Sequence, residues 1–230
     1  GLGPRLNAAG RLGKADSGLH LLTTTDLSVA KALAQELEQT NQERKEIQEE
    51  TFLEAESLMR NEIDVDSQRV IVLASEIFHP GVIGIAASKF VDKYHRPTVL
   101  IALEDGIGKG SGRSIPKFNL FKAFTDCSSH LIQFGGHAYA AGLSIQEENV
   151  AAFSDAMNAV GHRHLSEEDL IPEVKIDTTL DISQINFTLY KNISMLEPFG
   201  AENPVPSFQS QNIKIKEVKY IGKEKNHVRF

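Results

Sequence analysis

The chain has 230 residues, 41% apolar and 24% charged, with a formal net charge of −7 at pH 7. Such proportions suit a globular protein long enough to bury a core without staples. A single cysteine, Cys127, excludes an internal disulfide and a cysteine-cluster metal site, and no apolar run is long enough to span a membrane.

Gly1 opens the chain without a start methionine and an apolar, strand-like pattern closes it, so both ends read as cuts through a longer protein. The average charge hides strong patterning. Acidic side chains crowd 26–68, whereas 1–14 carries Arg5, Arg11 and Lys14 with no acid. Residues 107–117 hold Lys109, Arg113 and Lys117, again with no acid, and 214–229 is rich in lysine. Local charge outweighs the total in shaping a polyanion footprint, although solvated faces look the same by charge alone.

Glycine, proline and asparagine punctuate 1–13, so 1–25 reads as a loop and a short helix. Asp26 suits a helix N-cap, and no glycine or proline follows until past Asn61. A helix of about 35 residues would span about 50 Å. Its polar middle, Thr40 to Lys45, interrupts any apolar heptad, so a spine joining two bodies is preferred over a coiled coil.

From Arg69 strands and helices alternate. Arg69–Ser75 and Pro97–Leu103 are β-branched runs fit for burial on both faces, with helical spacing between them over Val82–His95. Ile107–Ser114 is glycine-rich and strand-like, Phe118–Leu131 is amphipathic, Leu143–Ile145 is a short strand and Asn149–His162 is a helix. Ser166–Pro172 reads as a linker, Glu173–Asp177 as a strand, Ile182–Leu196 as a helix and Glu197–Pro206 as a proline-rich loop. Alternation over Ser207–Phe230 suggests an antiparallel sheet with one wet face. The fold class is α/β: a long connecting helix, a mixed and mostly parallel sheet flanked by helices, then a partial OB-like barrel.

Three stretches carry chemistry. Gly108 to Ser114 packs three glycines, Ser111, Arg113 and Ser114 together. Glycines can open backbone N–H groups to an anion and arginine can grip a phosphate twice, though a flexible turn has the same composition. His79-Pro80-Gly81 sits where a strand hands over to a helix, either as a ligand-side histidine or as a tight turn. Gly135-Gly136-His137 precedes a small-residue run to Gly142, a pattern expected at a helix N-terminus that receives an anion. No nucleophile–histidine–acid arrangement accompanies them.

Pro4–Leu12, Phe78–Gly84, Gly110–Ser114, Gly135–Gly142 and Glu197–Gly200 occur in the order found in RecJ, and nearly the whole chain resembles that family of DHH phosphoesterases. The resemblance implies 1–25 as the tail of a metal-binding domain, 26–65 as the connecting helix, 66–165 as a DHH-associated substrate-binding domain and 166–230 as a truncated OB-like domain. It implies 5′-to-3′ hydrolysis of single-stranded DNA in repair and recombination, using Mn²⁺ or Mg²⁺ bound upstream. His137 with the Gly135-Gly136 backbone would hold the scissile phosphate. Ser111, Arg113 and Ser114 would grip a neighbouring phosphate, with Arg11, Asn7 and His79 nearby. The C-terminal lysines and Tyr220 would guide the strand. Single-stranded-DNA-binding protein and a helicase are the implied partners of a monomeric, cytoplasmic enzyme. Phe78 stands where the family often has tryptophan, Glu202-Asn203 where Gly-Asn is usual, and the family's aspartates and Asp-His-His motif have no counterpart here. A superfamily enzyme for short RNA or cyclic dinucleotides, and a non-catalytic binding module, are the competing readings.

Overall fold

The computed structural model describes residues 2–13, 15–62, 67–222 and 225–230. Lys14, Lys223 and Glu224, and the expected domain boundary between 65 and 66, lie outside them. The chain divides into two compact units, Gly1–Pro172 and Glu173–Phe230.

The first unit begins with two helices, α1 (Leu2–Leu12) and α2 (Asp16–Thr23), where the sequence suggests a loop and one helix. Pro4 falls in the first turn, where a missing N–H costs nothing, and Ala8 and Ala9 are buried along α1, which packs on α3. The long helix is α3 (Leu27–Glu62, 36 residues). Asp26 caps it: the carboxylate accepts from Ser28 N at 2.7 Å and Val29 N at 3.3 Å. A bond from the Ser28 hydroxyl, and after it these two backbone bonds, hold the Asp26 carboxyl below its ordinary value. The polar middle of α3 is partly buried: Arg44 reaches Asn41 Oδ1 at 3.1 Å and Gln48 Oε1, and both partners are buried.

The sheet runs β1 (Ile71–Ser75), β2 (Thr98–Glu104), β3 (Ile107–Arg113), β5 (Ala140–Gln146), β4 (Gln133–Gly136) in spatial order. It is mixed, as expected, but only β1 and β2 are parallel. The cause lies in the connections. α4 (Ile83–Tyr94) carries the chain back between β1 and β2, whereas β2 turns directly into β3 at Asp105 (φ 50°) and Gly106 (φ 76°). Paired positive-φ residues make a tight hairpin turn, and a hairpin is antiparallel.

Helices cover both faces. Val70, Val72, Val99, Ile101, Leu143 and Ile145 bury against Phe124 of α5 (Leu120–Asp126) and Phe153 and Met157 of α6 (Val150–His164). Ile71, Leu73 and Leu100 bury against Ala86 and Phe90 of α4 and Ala55 of α3. Leu165 and Leu170 join the first of these cores, so Ser166–Pro172 closes this unit instead of floating as a linker.

In the second unit β6 (Thr178–Thr179) pairs in parallel with β7 (Phe208–Gln209), and β8 (Lys219–Ile221) forms a hairpin with β9 (His227–Arg229). The strand expected at Glu173–Asp177 does not form; instead Asp177 exchanges bonds with Ser207, its N donating to the Ser207 carbonyl and its Oδ2 accepting from Ser207 N at 2.8 Å. The helix expected over 182–196 is split, because Asn186 caps a fresh start at α7 (Phe187–Ser194) by accepting from Leu189 N at 3.0 Å. Among the described residues these strands make two separate two-stranded sheets and no closed barrel.

Candidate phosphate-binding site

Strand β3 sits between β2 and β5 and pairs with both along its whole length. Its backbone N–H groups are therefore committed to the ladders and do not form an anion cradle, which corrects the reading of Gly108, Gly110 and Gly112. These glycines face the core. A Cβ at Gly110 would stand 2.7 Å from the Leu143 side chain, and one at Gly112 2.7 Å from Leu120 Cδ2. They are small because Leu143 and Leu120 need the space. The alternate residues, Lys109, Ser111 and Arg113, project from the opposite face.

Arg113 is half-buried on that face, donating from Nη1 to Ser111 Oγ at 3.1 Å and to the Gly112 carbonyl at 2.7 Å. Burial, and secondarily the charge of Arg11, hold its pKa below the ordinary arginine value. Both groups press on the first turn of α4: a Cβ at Gly84 would lie 2.7 Å from Arg113 Nη2 and 2.9 Å from Ser111 Oγ. Arg11, from the end of α1, meets the same turn. Its Nη1 donates to the Gly81 carbonyl at 3.3 Å, and its own carbonyl would be 2.1 Å from a Cβ on Gly81. Asn7, exposed on α1, lies one turn before Arg11 on the same helical face. No side chain caps α4. Two arginines close enough to repel thus converge on a helix amino end that no side chain caps, although the His79 and Val82 carbonyls accept from several of its N–H groups. An anion would relieve the repulsion.

His79 builds this turn. Its Nδ1 accepts from Gly81 N at 3.0 Å and its carbonyl accepts from Val82 N at 3.0 Å. Ser114 is likewise occupied, its Oγ donating to the Phe118 carbonyl at 2.8 Å and its N to the Tyr139 carbonyl at 3.0 Å.

Gly135-Gly136-His137 does not start a helix. Gly135 and Gly136 end β4, and His137–Tyr139 form the turn into β5, because Ala140–Gln146 pairs with β3 throughout. Gly136 takes φ 143°, where a Cβ would come 2.4 Å from the Ala140 carbonyl, so only glycine fits. The His137 N–H donates to that same carbonyl at 2.8 Å, and its Nδ1 accepts from Tyr139 N at 3.3 Å. The imidazole is exposed.

Strand register assembles these pieces. Ser111 pairs with Gly142, and Gly142 with Gly135; Arg113 pairs with Ala140. A row without side chains thus runs from Ser111 to the sheet edge, and nothing lies within 4 Å of a Cβ placed on Gly135. Helix α4 covers β2 and β3, leaving this glycine floor open beside the arginines. Gly142 and Gly84 carry as much of the site as Gly135. Their signal in the sequence is weak, since only pairing reveals what each glycine faces. Among the described residues, no group of three or more His, Cys, Asp or Glu side chains is placed to hold a metal ion.

Fold and site together define a DHHA1 domain followed by an OB domain: the DHHA1 domain family model matches residues 67–162 and the RecJ OB domain family model residues 176–230. The chain belongs to the RecJ family. It is 38% identical over its full length to the single-stranded-DNA-specific exonuclease RecJ of Bacillus subtilis, covering 29% of that protein. It is 37% identical to the Haemophilus influenzae RecJ, covering 41% of it. Among solved structures, RecJ of Thermus thermophilus in complex with Mn²⁺ superposes with a TM-score of 0.79 at 33% identity, over 90% of this chain and 30% of that one. The same protein in complex with Mg²⁺ gives 0.77. The chain spans less than half the length of these relatives.

Proposed function

We propose that this chain supplies the strand-holding surface of a 5′-to-3′ single-stranded-DNA exonuclease. The observation that carries the proposal is the convergence of Arg113, Ser111 and Arg11 on the start of α4, which no side chain caps, beside a glycine floor. The arginines and the helix end receive a terminal 5′-phosphate, using charge-assisted bonds. The floor lets the sugar–phosphate backbone lie within contact of the sheet, because no side chain intervenes. His137, at the edge of that floor, is free to donate a hydrogen bond to the phosphate undergoing attack and so steady its growing charge.

Mn²⁺ or Mg²⁺ accompanies RecJ in the Thermus structures. The described residues offer no matching ligand cluster, so no step is assigned to a metal on this chain. The separate second unit, matched as an OB domain, favours a long strand over a dinucleotide substrate. The setting this reading implies is a cytoplasmic monomer working with single-stranded-DNA-binding protein and a helicase. No helix among the described residues is long and apolar enough to cross a membrane.

Binding of paired oligonucleotides, one 5′-phosphorylated and one 5′-hydroxyl, tests the reading. The phosphorylated strand should bind more tightly, and Arg113→Ala should erase the difference. Equal affinity of the unmodified chain for both would remove the 5′-phosphate from this site.

A further inference from the structure

The β4–β5 turn has a second side. Its backbone is pinned between the end of β3, through Ser114 N to the Tyr139 carbonyl at 3.0 Å, and the start of α5, through Leu120 N to the Ala138 carbonyl at 2.9 Å. Behind it, between α5 and α6, lies a cavity of about 580 Å³ whose lining includes His137, Lys117, Lys122, Phe121 and His164. The cavity is large enough for a nucleotide and its chemistry is uneven. Phe121 is 39% exposed and leans on Phe134 with ring centroids 5.7 Å apart. Lys122 and His164 are exposed. One carboxylate, Asp126, also lines the cavity and faces Arg163 at 3.9 Å; a second, Asp169, faces the lining Lys117 at 3.6 Å, so each has a cation. The glycine floor and this cavity meet at one residue, His137.

We propose that this cavity is a second nucleotide subsite, which takes the part of the single strand lying beyond His137 from Arg113. This rests on the reading of the glycine floor as the strand's bed. A base stacks on the open Phe121 ring, and its phosphate is met by Lys122 and His164. Every base offers a π-face and every linkage a negative charge, so the subsite binds without sequence preference. The strand therefore bends around the β4–β5 turn, and His137 sits at the bend.

The test is a length series of 5′-phosphorylated oligothymidylates, from about three to about twelve nucleotides, titrated into the 230-residue chain and into Lys122→Glu and Phe121→Ala. The unmodified chain should gain affinity as the strand lengthens. Both variants should match it on the shortest strand and fall about tenfold behind on the longest. Lys122 is a surface side chain, so its variant reports on binding even if loss of the Phe121–Phe134 contact loosens α5. Variants that track the unmodified chain at every length overturn the subsite and leave the 5′-phosphate site intact. Equal losses on short and long strands also overturn it. No binding by the unmodified chain overturns both readings.

Discussion

The Arg113 guanidinium lies against Gly84 so closely that a methyl group there would come 2.7 Å from Nη2. The first turn of α4 and the end of β3 therefore hold each other in register through one arginine, and the contact needs a glycine. Gly84→Ala should displace Arg113 from Ser111 and the helix end. The expected outcome is a loss of about tenfold in affinity for 5′-phosphorylated strands, comparable to removing one charge-assisted hydrogen bond to phosphate. The 5′-hydroxyl strand should be affected far less. A calorimetric comparison of the two strands checks this, and equal losses would make Gly84 a packing residue only.

The His137 imidazole contributes modestly to its turn: the backbone N–H carries the bond to the Ala140 carbonyl, and the ring adds one long bond, Nδ1 accepting from Tyr139 N at 3.3 Å. In the whole enzyme His137→Ala should lower turnover by about a hundredfold while changing strand affinity no more than about threefold. Single-turnover rates set against filter-binding constants separate the two effects. Unchanged turnover with weakened binding would place His137 among the strand contacts.

The α3–α4 seam has its own pH signature. Burial pushes the Glu56 carboxyl up, but hydrogen bonds from Lys93 and Tyr94 and the charges of Lys93 and Arg60 outweigh it and leave the pKa below the ordinary 4.5. A depressed carboxylate stabilises the fold above its unfolded value and stops doing so as pH falls through the folded one. Lys93, bonded to Glu56, is raised above 10.5, so its share persists below that value and is lost as pH climbs past the raised one. Glu56→Gln should lower Tm by about 1 to 2 °C at neutral pH, since an ion pair with a half-exposed lysine is weak. The difference should shrink as pH falls through the lowered Glu56 pKa.

Cys127 is 2% exposed, and burial first, then the charge of Asp126, pushes its thiol up to about 11. Native protein should resist a thiol reagent at pH 8 and react fully once unfolded. Labelling that proceeds at the rate of a free thiol would mean that the end of α5 opens readily.

Much of the fold was legible because periodicity reports burial. Leu100 and Ile101 point into different cores, and a run of β-branched residues is what a strand covered on both faces requires. The long helix announced itself through Asp26 and an uninterrupted stretch of helix formers. Hairpins were less visible: Asp105-Gly106 is a strong turn signal, but its consequence, an antiparallel β3, follows only once no helix is found between β2 and β3. The site was half legible. Arg113 and Ser111 stand out by type, yet the glycines around them suggest a phosphate cradle when they actually clear space for Leu120 and Leu143. Glycine marks close approach without saying what approaches.

The two faces of β3 give its alternation a further meaning. A slip of one residue in its pairing would turn Ser111 and Arg113 into the α5–α6 core and bring the three glycines out to the ligand side. The charged pair would then be stranded in an apolar interior and the core left with empty slots. Misfolding and loss of ligand recognition are thus one error in this strand, and quality control that detects the first will also clear the second.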